Sequence, residues 1–410
     1  MSDFRELASL PRQIRLAVLV AALGYFVDVF DLVLFSIVRI PSLKELGNGN
    51  SLLSSGVLLL NMQLIGMLVG GIFWGMLGDK RGRVSVLFGS ILTYSVANIA
   101  NGFVHSIEWY AFWRFVAGFG LAGELGAGVT LASELMPSAL RGWATTFIAT
   151  LGLSGAIVAA LLSDIVGWRN CFIAGGILGL LLLLLRVSVH ESGIFASLQQ
   201  KSVMRGSFRL LLRKGERVKR YIACIGTGLP IWFVAGIIMT FSPEIGTALG
   251  LQKPITGSRA VLASYIGFVA GDCASGIMSQ FLKSRRRAIF AFMTFSLAVT
   301  AWLLTSSVRS VMAYYLFLIL SGFGAGYWAV FVTASAEQFG TNLRATVATT
   351  ASNFVRGAAV PMTLLFRSFS PALGAAEGAL AVAGIVYALA YLSMFVLEET
   401  FHRELDWVEE

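Results

Sequence analysis

The sequence predicts an all-α membrane protein of twelve transmembrane helices, arranged as two pseudo-symmetric six-helix halves. Three observations predict it. Of 410 residues, 57% are hydrophobic and only 13% charged, with a mean hydropathy of +0.78, whereas a soluble globular chain carries about 25% charged residues. The apolar residues fall into twelve runs of about 20, the length that crosses a hydrocarbon core of about 30 Å. A short pattern near the end of the fourth run also returns half a chain later, near the end of the tenth.

The runs follow in order. The first, 13–38, comes after a polar stretch that lacks the charged, apolar and small-residue regions of a cleavable signal, so no leader is expected. The second, 52–77, closes on the tight loop Gly75–Val84, from which the third, 84–104, departs. The fourth, 109–135, carries Arg114 and Glu124 among glycines, and Gly167 parts the fifth, 142–164, from the sixth, 168–187. The longest polar stretch, His190–Lys219, comes next, and its Phe208–Lys219 portion suits an amphipathic helix on the membrane surface. The remaining runs are 219–241, 258–282 (rich in Gly and Ser), 287–306, 311–335, 343–366 with the kink-prone Pro361, and 375–397. The expected division is therefore a first bundle over 1–187, a cytoplasmic linker over 188–218, and a second bundle with a short tail over 219–410.

The formal charge of +9 does not point to nucleic acid. With the N-terminus in the cytoplasm, about 22 of the basic residues fall in inside loops and about seven outside, which is the positive-inside rule. Both termini are then cytoplasmic, and the basic loops face water and anionic lipid. Cys171, Cys224 and Cys273 lie far apart, matching no metal spacing and no disulfide framework. A soluble enzyme, a secreted disulfide scaffold and a disordered chain are excluded. No metal or cofactor is expected, and the chain is expected to act as a monomer in a lipid bilayer.

The repeat is specific. Gly118-Phe119-Gly120, Glu134, Leu140-Arg141 and Ala144-Thr145-Thr146 are matched by Gly322-Phe323-Gly324, Glu337, Leu343-Arg344 and Ala348-Thr349-Thr350, with Glu and Arg seven apart in both copies and an offset of 203 between them. Two parallel six-helix halves are a transporter architecture, with a site at their interface near the membrane midplane.

The loop Gly75-Met76-Leu77-Gly78-Asp79-Lys80-Arg81-Gly82-Arg83 resembles the G-x-x-x-D-x-x-G-R signature of the major facilitator superfamily. Its glycines permit a tight turn, and Asp79 and Arg83 can make charge-assisted bonds at the cytoplasmic face. The matching region Gly276–Arg287 departs from it, with Gln280 in place of the acid. In the fourth run, Arg114-x3-Gly118-Phe119-Gly120-x2-Gly123-Glu124 and Glu134-x2-Pro137-x3-Arg141-Gly142 resemble the metabolite:proton symporter family, with sugar porters as near relatives. Gly167-Trp168-Arg169 and Arg186…Glu191-Ser192-x2-Phe195 extend that likeness, which covers 24–195 and fades in the second half. It implies the major facilitator fold and proton-coupled movement of a small metabolite.

Asp28 and Asp31 are three apart and share a helix face, and an ionisable residue in a membrane helix is a functional candidate. The resemblance places an acidic pair, E-x-x-D or D-x-x-D, at this spot. Asp31 and Arg114 are expected at similar depth, so an Asp that gains and loses an arginine as the halves rock would release and bind a proton. Asp31 is the expected carrier, Asp28 the second candidate and Arg114 the switch; the alternative is a permanent ion bridge that only fixes helix packing. Glu124 is either a second protonatable or substrate-contacting group or a buried neutral acid.

Arg356, beside Asn353 near the midplane, favours an anionic solute that it can grip with two parallel bonds; the alternative is a partner to Asp272 or Glu124. Glu134, Arg141, Glu337 and Arg344, with Asp79 and Arg83, are expected at a cytoplasmic gate of inter-half bridges. Tyr25, Phe26, Tyr265, Tyr327 and Trp328 either line the cavity or pack helices. Trp109, Trp168 and Trp407 suit the interfacial belt.

The expected function is therefore secondary transport of a small organic solute, anionic or zwitterionic, by proton symport, with the proton as coupling ion. A proton-driven exporter, of a metal chelator for example, and a passive uniporter are the alternatives. Gly152-Leu153-Ser154-Gly155 lacks the proline and paired glycine of the drug-exporter pattern. No P-loop pattern occurs, so ATP-driven pumping is not expected. A bacterial inner membrane is the expected location.

Overall fold

The computed structural model describes residues 12–81, 83–123, 141–186, 211–306, 310–401 and 409. Helix α1 runs Arg12–Glu45, α2 Leu52–Arg81, α3 Arg83–Asn101 and α4 Ile107–Leu121. A single stretch, Arg141–Arg186, breaks at Gly167, whose φ of 77° is open to glycine at little cost, and so yields α5 (141–166) and α6 (168–186). The second half holds α7 (Gly215–Phe233, continuing through a π-helical turn Val234–Met239), α8 (Gly257–Phe281) and α9 (Arg285–Thr305). Helix α10 is Val311–Ala325 plus Trp328–Glu337, α11 is Thr341–Gly357 plus Ala359–Leu373, and α12 is Ala375–Val396. The chain crosses twelve times, as the apolar runs predict, and no strand occurs among the described residues.

Three departures from the expected elements have local causes. Helix α1 runs seven residues past its predicted end, because Arg39 and Ser42 are buried among other helices and do not end it at a water interface. Helix α11 breaks at Ala358, not at Pro361 itself: proline has no N–H to return to the carbonyl four residues back, that of Gly357, so the helix parts there. Helix α10 breaks at Gly326-Tyr327, and the freed N-terminus of its second segment is bonded from a neighbour, the Ala329 N–H donating to Asp272 Oδ1 of α8 at 2.8 Å.

The glycines show how closely each half is mated. A Cβ built at Gly66, Gly70 or Gly118 would stand 2.1, 2.2 and 2.0 Å from the carbonyl oxygens of Phe115, Phe119 and Gln63, so α2 and α4 touch backbone to backbone. The same seam recurs between α8 and α10, where Gly267, Gly271 and Gly322 meet the carbonyls of Ile319, Phe323 and Ser264 at 2.0, 2.2 and 2.1 Å. Matched positions on α2 and α8 lie 201 residues apart, and those on α4 and α10 lie 204 apart. Between the halves, α8 packs on α1 and α5, and α11 packs on α2.

On the face that carries the chain ends, the tail after α12 docks on the second half. Glu399 accepts from the N–H groups of Arg285 (2.8 Å) and Arg286 (3.3 Å) and from Ser284 Oγ, so a carboxylate sits at the N-terminus of α9. Glu409, buried, pairs with Arg217 Nε at 2.7 Å and Arg220 Nη1 at 3.4 Å. Partial burial works against the charge of Glu399, but its bonds from Ser284 and the backbone outweigh this and hold its carboxyl below the usual range.

Two predictions follow from this packing. Gly66→Val and Gly267→Val each force a Cβ onto a backbone carbonyl and should lower stability by about 3 kcal/mol, whereas Gly384→Ala, with open space around it, should leave melting unchanged or slightly raised when purified protein is heated in detergent. Because the folded-state pKa of Glu399 is depressed, its contribution is complete above the unfolded value of about 4.3 and is lost as pH falls through the folded value. Proteolysis of residues 397–401 should accordingly accelerate below about pH 4, and less steeply in Glu399→Gln.

Candidate functional site

Helix α1 carries Asp28 and Asp31, both wholly buried and one turn apart. Each meets different company. Asp31 faces the other helices of the first half: Arg114 of α4 is its charged neighbour, Asn98 of α3 turns its amide toward it, and Gly175 of α6 leaves it room. A Cβ at Gly175 would stand 2.2 Å from Asp31 Oδ1. The Arg114 guanidinium donates to Gln63 Oε1 of α2 and lies over the rings of Phe35 (5.3 Å) and Phe172 (5.4 Å). Asp31 and Arg114 are thus neighbours that do not close to a 4 Å ion pair.

Asp28 looks across the interface. Its Oδ2 lies 3.8 Å from Arg356 Nη2 of α11, a buried pair that joins the two halves. The Arg356 guanidinium also stands over the Trp328 ring at 5.6 Å, at the start of the second segment of α10. Tyr25 and Tyr265 are electrostatic neighbours of both Asp28 and Arg356, and Tyr25 packs its ring against Gly152, where a Cβ would stand 1.9 Å away. Asn353, one turn before Arg356, donates to the Ala122 carbonyl of the first half at 3.4 Å.

Several placements differ from the expected ones. Arg356 pairs with Asp28, not with Asp272, whose carboxylate bonds the start of the second α10 segment. Tyr327 is a packing residue, its hydroxyl donating to the Thr227 carbonyl of α7 at 2.9 Å within the second half. Glu337 makes bonds inside its own half, to Arg285 Nη2 at 3.5 Å and from Thr400 Oγ1 at 2.7 Å, because α9 and the tail reach it first. Arg344 donates to the nearby Phe339 carbonyl at 3.5 Å, a bond compatible with its expected place at the gate, whose first-half residues lie outside the described side chains. Trp168 is buried, not at a lipid interface, with its indole N–H on Glu45 Oε2 at 2.6 Å; Trp109 is exposed. Glu124, Glu134, Trp407 and the side chains of Asp79, Arg83 and Arg141 lie outside the described residues.

Sequence reasoning missed the ties at the face opposite the chain ends. Arg39 of α1, 1% exposed, pairs with Glu244 at 2.6 Å and donates to the carbonyls of Thr240 (3.3 Å) and Leu52 (3.2 Å). It also lies over Phe241 at 4.7 Å. Beside it Ser36 bonds Thr240 at 2.9 Å, and Ser258 donates to Asp164 Oδ1 at 2.8 Å. These contacts tie the two halves together on that face. Their signal in the sequence is an arginine just past an apolar run and an acid 205 residues on, which only the folded chain brings together.

The family model described as Major Facilitator Superfamily matches residues 21–363. The chain belongs to that superfamily. It is therefore a membrane transporter and not an enzyme. It is 29% identical over 408 residues to the cis,cis-muconate transport protein of Acinetobacter baylyi, covering 95% of this chain and 94% of that one. To the niacin transporter of the same organism it is 26% identical over 361 residues, covering 80% of each. The crystal structure of a D-xylose-proton symporter aligns with a TM-score of 0.71 at 17% identity, covering 95% of this chain and 99% of that one, a likeness of fold.

The tie at Arg39 has a measurable consequence. Arg39→Gln removes one partner of a largely buried pair and should favour opening on that face. With the native cysteines replaced, a cysteine at Ser36 should react with an impermeant maleimide about tenfold faster in Arg39→Gln than in the parent, a population shift of about 1.4 kcal/mol.

Proposed function

We propose that the protein is a proton symporter for a small organic carboxylate. The observation that carries this reading is the division of labour on α1: Asp31 is paired in prospect with Arg114 inside the first half, and Asp28 with Arg356 across the halves. A solute carboxylate can take the Arg356 fork with two parallel bonds, replacing Asp28 as its counter-charge, with Trp328, Tyr25 and Tyr265 beside it. Muconate and niacin, the solutes named for two relatives, are both carboxylates. The 3.8 Å separation of Asp28 and Arg356 supports an exchangeable pair, since it exceeds hydrogen-bonding distance.

In this reading Asp31 binds a proton while Gln63 holds Arg114, and releases it when Arg114 closes on the carboxylate. The proton is the only coupling ion, and no cofactor takes part. The halves, 1–187 and 219–410 joined by 188–218, rock about the site. Asp79, Arg83, Glu134 and Arg141 close the face that bears the chain ends, and Arg39 with Glu244 closes the other. The basic loops put the chain ends in the cytoplasm of a bacterial cell, at its inner membrane, with the protein working as a monomer.

Uptake into proteoliposomes under an imposed inward proton gradient tests this, with labelled muconate, nicotinate, aromatic acids and D-xylose compared. A carboxylate should accumulate, Asp31→Asn should abolish accumulation but keep exchange, and Arg356→Lys should raise KM at least tenfold by losing the planar fork. Equal, gradient-independent flux in wild type and Asp31→Asn would leave a uniporter. Accumulation of D-xylose with no carboxylate transported would overturn the role of Arg356.

A further inference from the structure

Helix α3 carries a polar face that neither the solute site nor the ties between the halves use. Ser95, Asn98 and Asn101 recur at three-residue spacing, so each shares a helix face with the next and the set winds slowly round the helix. All three are wholly buried. Among the described residues, Ser95 Oγ, both amide atoms of Asn98 and of Asn101 and the two carboxylate oxygens of Asp31 make no hydrogen bond within 3.5 Å, although the Asn98 amide faces the Asp31 carboxylate. Buried polar groups are almost always bonded to protein or to ordered water, since leaving one unbonded costs roughly 1–3 kcal/mol. Five orphaned side-chain atoms on one helix face, beside an orphaned carboxylate, describe a place built for water.

The ends of this face are informative. At its middle Asn98 turns its amide toward Asp31. About 4.5 Å along the helix comes Asn101, the last residue of α3. Directly above it Arg169 donates to the carbonyls of Gly102 (3.1 Å) and Val104 (2.7 Å) and pairs with Glu45 at 2.9 Å. Arg169 and Glu45 are 27% and 53% exposed, so the face ends beneath a wet ion pair. On the same side the two halves are tied to each other by Arg39 with Glu244 and Thr240 and by Ser36 with Thr240.

We propose that Asp31 exchanges protons with the face opposite the chain ends through a hydrated file inside the first half, along Ser95, Asn98 and Asn101, and not along the interface that carries the solute. This rests on the reading of Asp31 as the proton carrier. A hydronium entering beneath Arg169 and Glu45 passes its proton along waters held by Asn101 and Asn98. The proton ends on an Asp31 oxygen as an O–H bond and leaves neutral water behind. The groups facing Asp31 fit this assignment. Asp28 on its own helix and Arg114 on α4 are its charged neighbours, Tyr110 of α4, Phe172 of α6 and Gln63 of α2 lie against Arg114, and α6 presents Gly175. None of these reaches the exposed surface, whereas the α3 face leads toward it.

The test needs no solute. In right-side-out vesicles, the external pH is jumped and the carboxylic C=O band that Asp31→Asn removes is followed by infrared spectroscopy. Asn98→Leu/Asn101→Leu replaces the orphaned amides with apolar side chains of similar size, so melting should be unchanged or raised, while protonation of Asp31 should slow at least tenfold. Asn98→Ser/Asn101→Ser, which keeps room and a polar group for water, should stay within about threefold of wild type by the same reasoning. A Leu variant as fast as wild type overturns the file, and so does a Ser variant as slow as the Leu one, which would make the amides positioning groups. A wild-type spectrum with no band lost in Asp31→Asn overturns the reading of Asp31 itself, and the file with it.

Discussion

A carboxylate inside a bilayer must find a counter-charge or a proton, because the hydrocarbon offers it neither water nor a dielectric that screens it. Helix α1 imposes that demand twice within one turn. A single arginine between Asp28 and Asp31 would have met it as a fixed bridge. Instead two arginines approach from different bodies, Arg114 from the same half and Arg356 from the other. Much of the surrounding architecture serves to let them arrive. The close glycine seam between α2 and α4 brings Gln63 and Arg114 together, and the glycines of α5 and α6 make room for Tyr25 and Asp31.

The twelve crossings, the division into halves and the repeat were legible in the sequence because each is a pattern along the chain, in apolar run length, glycine spacing and basic loops. The acidic pair and Arg114 were legible for the same reason, since a charge in an apolar run is conspicuous by its cost. What could not be read was pairing across the interface. By depth alone Asp272 and Glu124 were the expected alternatives for Arg356, and its pairing with Asp28 was decided by which helix faces rotate toward each other. Arg39 and Glu244 sit just past the ends of apolar runs, where charge is ordinary, so nothing in one dimension distinguished a tie between halves from a residue meeting water.

The expected roles that moved also moved for one reason. Asp272, Tyr327 and Glu337 all belong to the second half, and all bond groups within it: a broken helix start, a carbonyl of α7, and the α9 turn with the tail. Asp272 closes the start exposed by the break in α10, and Thr240 Oγ1 donates to the Ala235 carbonyl in the π turn of α7. In the first half α1 and α2 are continuous, and α1 presents Asp28 to Arg356 and Asp31 toward Arg114 without a helix break between them.

The break in α10 bears on how such a protein can change its cargo. Position 272 of α8 corresponds, at the offset of 201, to Gly71 of α2, a glycine that rests against Asn353. One copy of the repeat therefore has an acid stitching a helix together where the other has empty space for its partner's side chain. The two copies have ceased to be interchangeable. In the proposed reading, the half with Asp31, Arg114 and Asn98 holds the ionisable set, while Trp328 and Arg356 would border the solute from the other half on stitched, interrupted helices. Substitutions around Trp328 can then reshape what is carried without disturbing how the carrier is driven, so that one drive train serves many cargoes over evolutionary time.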